Sequence, residues 1–467
     1  MNRSFTTLIE STGCPKIIDN PLNIAVAGTV YVGLVSGVCL AHRGHNVACV
    51  DIDENKIAMM RRGIAPIYEQ DLEILMELNQ NRLTYTNDYK SAYKNADVII
   101  IGVGTPELPD GSANLTFIAT VARQIAETVE NNCLVVVKST VPVGTNDKVE
   151  QFIKDFMPKK KSFGYDRIIN IEVASNPEFL AQGTAVRDML EAPRIIVGVN
   201  SKTAEYTLKR VYEPFELPIV VVSRKSAEMI KYAANDFLAL KISYMNDIAN
   251  LCELVGADVQ DVAIGMGYDN RIGDRFLNAG IGYGGSCFPK DTKALNYLAT
   301  QHGYELRTVK AAIDVNEDQK ILLYKKACQR LITFNNLKVA VLGLTFKPGT
   351  DDLREAPSLD NIPLLLNQGA HIYAYDPVGI ENFKRLFPED ISGNVSGKGY
   401  IKYVYQIEEA LQDANVCFVF TEWDEIKAIK AEDYVRFMHT PLVYDGRNTY
   451  QIDEMRKFGI EYYSIGR

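Results

Sequence analysis

The chain has 467 residues, of which 47 % are hydrophobic and 23 % are charged, so extended disorder and fibrous repeats are excluded. At roughly 150 residues per domain, this length predicts about three domains. The formal net charge is −9, whereas a nonspecific nucleic-acid binder normally carries a basic face. We therefore expect no nucleic-acid partner, and we expect any phosphate group to be bound in a local pocket of fixed donors.

The eight cysteines and five histidines show no spacing that is typical of a metal site. No two cysteines are separated as in a CxxC pair, and the histidines form no HExxH cluster. Most of the cysteines lie inside apolar runs, which argues against a disulfide framework. The sequence therefore predicts a reducing, cytoplasmic compartment and no metal ion.

Residues 24–41 carry no charge and approach the length of a membrane span. Against a span, the stretch contains three glycines and changes its period midway, so that residues 22–27 predict a buried strand and residues 30–43 predict a helix. The first twenty residues lack an apolar core preceded by positive charge. We therefore expect neither a membrane segment nor a secretory signal.

Short apolar runs alternate with helical stretches through the first half, which is typical of βαβ units around a parallel sheet. The predicted strands there are residues 22–27, 46–51, 97–103, 134–138, 171–174, 194–199 and 219–222. Residues 224–255 contain no proline and no glycine, and they predict one long helix. Further helices are predicted at residues 258–265, 291–301 and 307–332. A second alternating block predicts strands at residues 338–342, 371–375, 416–421 and 442–444.

This order predicts an α/β fold with two Rossmann-like domains joined by a helical central domain. We expect an N-terminal extension at residues 1–20, a first α/β domain at 21–215, a central domain at 216–330 and a second α/β domain at 331–467. The long helix is apolar on more than one face, so we expect it to pair with a second copy of the chain in a homodimer.

The loop after the first strand resembles a dinucleotide-binding turn. It runs from Gly28 to Gly33, and the next strand ends in Asp51, which would hold a ribose hydroxyl and favour NAD over NADP. Val30 stands where the motif has its second glycine. Its side chain would either occupy space needed by the pyrophosphate or require a φ that valine tolerates poorly, so we expect weakened NAD binding. The alternative is an ordinary strand-to-helix turn.

The stretch from Asn278 to Asp291 is the most informative for chemistry. Four glycines in six residues, at 280, 282, 284 and 285, let a ligand approach the backbone. Cys287 follows them, and we expect it just before a helix that begins near Asp291, where a thiolate nucleophile is stabilised. The alternative is that Cys287 is a small buried apolar residue.

Other polar residues occupy positions where α/β proteins place ligands. Lys231 and Asn235 are four residues apart on the predicted long helix, and therefore share one face. Thr140, in the segment Ser139–Pro142, and Glu178, directly after Pro177, follow two predicted strands. The alternative is that Lys231 is an ordinary solvated residue of the helix, and that the two segments with a proline are ordinary helix starts.

Together these motifs resemble those of the nucleotide-sugar dehydrogenase family over essentially residues 22–467. The matching stretches are Gly102–Pro106, Ser139–Gly144, Asn176–Leu180, Lys231 with Asn235, Arg271–Gly273, Gly284–Asp291, and Phe346-Lys347 followed by Asp351–Arg354. The resemblance implies NAD-dependent four-electron oxidation of UDP-glucose to UDP-glucuronate by a homodimer. It makes the first α/β domain the NAD-binding domain and the second the UDP-sugar-binding domain.

The resemblance also implies the residue roles. Cys287 would form a thiohemiacetal and then a thioester, Lys231 with Asn235 would stabilise the oxyanion, and Asp291 would activate water. Thr140 and Glu178 would support proton transfer and hydrolysis. The implied NAD site consists of Gly28, Val30, Tyr31, Val32, Gly33, Asp51, Lys56, Gly104, Thr105, Thr140 and Arg354. The implied substrate site consists of Phe179, Leu180, Lys231, Asn235, Asn278, Gly282, Tyr283, Gly284, Phe346, Lys347, Arg447 and, across the dimer, Arg271.

Three alternatives remain open at this point. The substrate could be GDP-mannose or a UDP-N-acetylhexosamine, since pocket shape decides the sugar. A two-electron β-hydroxyacid dehydrogenase has a similar domain layout and needs no cysteine. Finally, Val30 could make the chain a catalytically impaired nucleotide-sugar-binding protein.

Overall fold

The computed structural model describes residues 14–157, 160–162, 165–167, 169–389 and 399–467. The chain divides into two compact units, Met1–Ala233 and Ala234–Arg467. Residues 1–13 of the predicted N-terminal extension lie outside the described residues. The four-part division drawn from the sequence stays a prediction.

The first unit is built on an eight-stranded sheet. Its strands are β1 (Asn23–Ala27), β2 (Asn46–Val50), β3 (Leu83–Thr86), β4 (Val98–Ile101), β5 (Cys133–Val137), β8 (Ile171–Ser175), β9 (Ile195–Gly198) and β10 (Ile219–Val222). Their order is β10-β9-β8-β5-β4-β1-β2-β3, and the neighbours are parallel except for the antiparallel pair β8–β9. Strands β6 (Lys160–Ser162) and β7 (Tyr165–Arg167) form a separate two-stranded sheet.

Helices connect these strands. They are α1 (Tyr31–His42), α2 (Glu54–Arg61), α3 (Leu72–Leu78), α4 (Tyr89–Lys94), α5 (Thr116–Thr128), α6 (Thr145–Phe156), α7 (Ala185–Leu190) and α8 (Lys202–Tyr212), followed by a 3₁₀ turn at Glu213–Phe215. Every residue of the central strands β4 and β5 is buried. Burial on both faces explains why these strands read as continuous apolar runs instead of alternating patterns.

The long helix α9 (Arg224–Val255) runs through the boundary between the units, since Ala234 lies within it. The second unit continues with α10 (Val259–Gly267), α11 (Phe288–Gln301), α12 (Arg307–Lys320), α13 (Leu322–Arg330), α14 (Pro357–Asn367), α15 (Ile380–Leu386), α16 (Ile407–Leu411), α17 (Asp424–Lys427), α18 (Ala431–Phe437) and α19 (Ile452–Lys457). Its strands are β11 (Lys338–Leu342), β12 (His371–Tyr375), β13 (Tyr400–Tyr403), β14 (Val416–Val419), β15 (Leu442–Asp445) and β16 (Glu461–Tyr463). They form a parallel six-stranded sheet in the order β13-β12-β11-β14-β15-β16.

The structure confirms the predicted α/β fold, with two sheet-based parts and a helical region between them. The long helix has the predicted ends, Arg224 and Val255. Two details of the helix prediction are wrong. The helix predicted at 307–332 is two helices separated by Ile321, and the helix expected near Asp291 begins already at Phe288.

A search of the described residues for a helix long and apolar enough to cross a membrane finds none.

Candidate active site

The turn after β1 requires glycine at both of its ends. Gly28 has φ +93°, and a Cβ there would lie 3.0 Å from the Val103 side chain. A Cβ on Gly33 would lie 1.9 Å from the carbonyl oxygen of Gly28. The loop therefore folds back against the start of α1 only because neither position carries a side chain.

Val30 adopts an ordinary backbone conformation in this turn. Its φ is −83° and its ψ is −175°, which is extended backbone that valine readily adopts, so the expectation of an unfavourable φ is wrong. Val30 is the N-cap residue of α1, it is 41 % exposed, and its own side chain makes no capping hydrogen bond. The helix N-terminus fits a pyrophosphate, and only the steric effect of the isopropyl group remains as a reason for weak binding.

Asp51 lies directly after β2 and is tied to the turn. Its Oδ2 accepts hydrogen bonds from the backbone N–H of Thr29 at 2.9 Å and from the Thr29 hydroxyl at 2.5 Å. Its Oδ1 accepts a hydrogen bond from the N–H of Asp53 at 3.0 Å. Burial opposes ionisation of Asp51, but these hydrogen bonds and the charge of Lys56 outweigh it and hold its pKa below the usual value. The result is a carboxylate beside the glycine turn, which fits a ribose hydroxyl.

The other predicted cofactor residues of the first unit lie in two places. Tyr31 donates a hydrogen bond to the carbonyl of Tyr68 at 3.0 Å, and Val32 follows it in the first turn of α1. Thr105 is buried, and its hydroxyl donates to the carbonyl of Thr140 at 2.9 Å, which brings these two predicted residues together. Within the described part of the chain, a Cβ on Gly104 would meet no atom of a residue beyond its two neighbours within 4 Å, so the backbone there is open to a ligand.

Lys231 is not the solvated lysine that its helical position alone suggests. Its Nζ lies 3.1 Å from Glu178 Oε1, and the two side chains are 3 % and 5 % exposed. Glu178 also accepts a hydrogen bond from the N–H of Leu180 at 2.5 Å. The ring of Phe179 lies 5.3 Å from Lys231 Nζ and 3.9 Å from the guanidinium of Arg194. The structure thus brings the buried ion pair of Glu178 and Lys231 together with the half-buried Phe179 and Leu180.

A second buried lysine beside this group was not predicted. Lys138 Nζ donates to Asn176 Oδ1 at 3.0 Å and lies 3.4 Å from the hydroxyl of Tyr212. Burial lowers the pKa of Lys138 to about 8, against the opposing effect of Glu178. Because Lys138 ends a predicted apolar strand, its sequence position gave no sign of a charged role.

Cys287 is the N-cap residue of α11 in the second unit and is half-buried. Its carbonyl accepts the N–H of Asp291 at 2.8 Å, and its Sγ lies 3.7 Å from the hydroxyl of Ser286. Asp291 is 1 % exposed and accepts hydrogen bonds from Asn235 Nδ2 at 2.7 Å and Lys290 Nζ at 2.5 Å. One helical turn therefore joins the predicted nucleophile to a carboxylate held by two donors.

Three buried carboxamides that the sequence did not single out hold the glycine-rich loop. Asn246 accepts the N–H of Gly280 at 2.8 Å, and Gln319 donates to the carbonyl of Gly280 at 2.8 Å. Asn316 accepts the N–H of Tyr283 at 2.8 Å and donates to its carbonyl at 3.1 Å. Side-chain amides thus replace the strand partners that a glycine-rich segment lacks, and they fix the backbone of residues 280–283.

Arg447 joins this loop to the one after β11. Its guanidinium donates to the carbonyls of Gly282 at 3.2 Å and Phe346 at 3.1 Å. A Cβ on Gly285 would lie 2.7 Å from the Phe346 ring, and a Cβ on Gly284 would lie 2.3 Å from the carbonyl oxygen of Glu355. Glycine is therefore required where the two loops meet.

The remaining predicted residues of the second unit lie on its surface or near the Phe346 ring. Lys347 Nζ is 5.7 Å from that ring. Asn278 is exposed, and Arg271, with an 89 % exposed side chain, pairs with Asp269 at 2.6 Å. Arg354, whose side chain is 59 % exposed, forms an ion pair with Asp352 at 2.6 Å. The carbonyl of Arg354 accepts the N–H of Gly285 at 2.7 Å, which places its backbone beside the loop that meets the Phe346 ring.

An aspartate follows the second strand of the second sheet, as Asp51 follows β2, but its carboxylate binds backbone N–H groups of neighbouring loops. Asp376 follows β12, and its Oδ2 accepts the N–H of Leu344 at 2.7 Å, while its Oδ1 accepts the N–H of Gly379 at 2.7 Å. Asp376 is 2 % exposed. It therefore shapes the loop that carries Phe346 and Lys347.

Comparison with known proteins gives consistent results along the chain. Models of the UDP-glucose/GDP-mannose dehydrogenase family match residues 22–216 (NAD binding domain), 225–318 (central domain) and 340–452 (UDP binding domain). The UDP-glucose 6-dehydrogenase YwqF of Bacillus subtilis is 45 % identical over 96 % of this chain and 98 % of its own length.

Two solved structures have the same architecture. A UDP-glucose dehydrogenase from Pyrobaculum islandicum superposes with a TM-score of 0.84 at 33 % identity, covering 95 % of this chain and 97 % of that one. A UDP-D-ManNAc dehydrogenase from Pyrococcus horikoshii gives 0.81 at 25 % identity, covering 95 % and 99 %. The family and the NAD cofactor predicted from sequence are confirmed. This chain belongs to the UDP-glucose/GDP-mannose dehydrogenase family and is an NAD-dependent oxidoreductase.

Proposed function

We propose that the chain oxidises the C6 alcohol of UDP-glucose to the carboxylate of UDP-glucuronate. The relatives that bear the name UDP-glucose dehydrogenase support this substrate, since they match over nearly the whole chain. NAD⁺, when bound at the glycine turn, supplies the hydride acceptor for each of the two oxidations. The observation that carries the proposal is Cys287 at the N-terminus of α11, one turn before the buried Asp291.

Cys287 is the nucleophile in this proposal. An aldehyde carbon must become tetrahedral before it can lose hydride and reach the acid oxidation state. Cys287 Sγ adds to that carbon as a thiolate, favoured by the helix N-terminus, and the carbonyl oxygen takes up a proton. Oxidation of this thiohemiacetal yields a thioester. Water then attacks the thioester carbon, the carbon–sulfur bond breaks, and the thiolate is restored.

In this proposal, the buried polar groups stabilise the negative charge of the intermediates and transfer protons. Lys231 donates to the oxyanion that forms on the reacting carbon, and its pairing with Glu178 at 3.1 Å fixes its position. Asn235 orients Asp291, and Asp291 accepts a proton from the attacking water. Thr140 and Glu178 support proton transfer to and from the sugar.

The substrate is held by backbone groups and cations. The loop that carries Gly282, Tyr283 and Gly284 is fixed by buried amides, so it binds the nucleotide sugar with little loss of conformational entropy. Phe346 and Lys347 offer an aromatic face and a positive charge to the base and the diphosphate. Local cations of this kind explain how a chain of net charge −9 binds an anion.

The homodimer and the cytoplasmic location belong to the same proposal. Phe237, Tyr244, Leu251 and Leu254 on α9 are 52 to 84 % exposed, and their spacing places them along one side of the helix. Such an apolar stripe fits the same stripe of a second copy. The cysteines show no CxxC spacing, and most lie in apolar runs, which supports a reducing compartment.

Initial rates of NADH formation with three sugar nucleotides test the substrate. We expect UDP-glucose to give by far the highest kcat/KM, compared with GDP-mannose and UDP-N-acetylglucosamine. A preference for UDP-N-acetylglucosamine would contradict the proposed substrate and would favour a UDP-N-acetylhexosamine, the sugar class in the name of the Pyrococcus neighbour. Tight UDP-glucose binding without NADH formation would instead indicate a binding protein.

A further inference from the structure

Asp236, the residue after Asn235 on α9, is a buried carboxyl group that the mechanism above does not use. It is 4 % exposed, and among the described residues neither of its carboxyl oxygens has a hydrogen-bond partner. Buried polar groups almost always have a partner, and an unpartnered buried charge is far more costly than an unpartnered neutral group. The position therefore favours the protonated, neutral acid.

Among the residues that the structure describes, the groups that interact with Asp236 leave no charge to compensate a second carboxylate. They are Asp291 and Lys290 on α11 and Tyr283 in the preceding loop. Lys290 Nζ already lies 2.5 Å from Asp291 Oδ1, and Asn235 donates to the other oxygen. Lys290 thus balances one negative charge, that of Asp291.

The electrostatics agree with this geometry. Burial first, and then the charge of Asp291, raise the pKa of Asp236 to about 8, against a smaller opposing effect of Lys290. Burial and Asp236 also help to raise the pKa of Tyr283 to about 12, so Tyr283 stays neutral in the same range. Asp236 therefore holds its proton beside the charge of Asp291.

We propose that Asp236 is a positioning residue that carries this proton beside Asp291, and that its ionisation ends the pH range in which Asp291 serves the reaction. This inference rests on the role of Asp291 in the proposed function. Ionised Asp236 would place an uncompensated negative charge beside the water that attacks the thioester. That charge opposes the oxyanion formed by the attack and the departure of the thiolate, so thioester hydrolysis slows.

The pH profile of kcat tests the coupling. In wild type we expect kcat to fall about tenfold between pH 7 and pH 9, because one pH unit above its pKa Asp236 is about nine-tenths ionised. In Asp236→Asn the ratio of kcat at pH 9 to that at pH 7 should be several times larger than in wild type. Asp155→Asn is the control, since Asp155 is an exposed residue of α6 outside the candidate site and should leave the wild-type profile unchanged.

A second readout does not depend on turnover. In the full-length wild-type protein, the infrared C=O stretching band of a protonated carboxyl group should be present at pH 7 and weaker at pH 9. In Asp236→Asn, the component that wild type loses at pH 9 should already be absent at pH 7. Asp236→Ser serves if the asparagine variant does not fold. An unchanged band in both variants, or equal kcat ratios in wild type and Asp236→Asn, overturns the inference. If Asp291→Asn hydrolyses the thioester normally while the band behaves as described, the proposed role of Asp291 has failed and the protonation of Asp236 stands.

Discussion

Replacing Val30 with glycine should strengthen NAD binding. The valine has φ −83°, so glycine relieves no backbone strain there, and any gain in affinity reports on the isopropyl group alone. Val30 is 41 % exposed at the N-terminus of α1, and its own side chain cannot cap the N–H groups there. Letting one backbone N–H reach a phosphate oxygen is worth about 1.5–3 kcal/mol as a charge-assisted hydrogen bond, or roughly 10- to 100-fold in Kd.

Calorimetric titration of the full-length protein with NAD⁺ measures this effect. Val30→Ala should give an intermediate Kd, because it keeps the Cβ and removes two methyl groups. Val220→Ala is the control, since Val220 is also 41 % exposed but lies in the outermost strand β10 of the first sheet. A Kd for Val30→Gly within about twofold of wild type would refute the steric argument, because a regained phosphate contact exceeds that margin.

Three further predictions follow from the second unit. Cys287→Ala should still carry out the first oxidation but release the aldehyde, so product analysis should show one NADH per sugar; unchanged UDP-glucuronate formation would contradict the thioester route. Asn316→Leu removes the hydrogen bonds that Asn316 makes to both backbone groups of Tyr283, and it should cost about 2–4 kcal/mol of unfolding free energy and raise KM for UDP-glucose. Asn79→Leu is the control, since it removes the hydrogen bonds of a buried carboxamide in the first unit to Leu75 and His42 and should leave KM unchanged. Asp236 ionises near pH 3.8 when unfolded and near 8 when folded, so the unfolded chain binds fewer protons between these values and stability falls as pH rises. The free energy of unfolding of Asp236→Asn should therefore exceed that of wild type by on the order of 4 kcal/mol at pH 7 and by almost nothing at pH 4. Urea unfolding measures this difference, and a difference that does not change with pH would contradict the prediction.

Three of the strands that the sequence did not predict, β3, β13 and β16, are edge strands of the two large sheets. Their sequences keep polar residues, as Thr84 and Lys402 show, so no continuous apolar run marks them. The edge strand β10 (Ile219–Val222), by contrast, is one apolar run and was predicted. Interior strands such as β4 are buried on both faces and were recognised from composition alone.

The site shows a similar division between local and long-range information. Cys287 and Lys231 could be singled out because their sequence neighbours are unusual, and both have the buried or capping positions that such chemistry needs. Asn316 lies on a helix more than thirty residues after the loop that it holds. Because a carboxamide on a helix is usually solvated, its sequence position did not indicate this role. Lys138 and Asp236 acquire their altered pKa values from burial and distant charges, which no sequence spacing encodes.

The central claim is a four-electron oxidation of one sugar by one site. The most direct measurement is the ratio of NADH formed to UDP-glucose consumed, with saturating NAD⁺ and limiting sugar. Our account predicts two NADH per UDP-glucose, with UDP-glucuronate as the only sugar product. A ratio of one, with the aldehyde or another two-electron product accumulating in the wild-type enzyme, would contradict it.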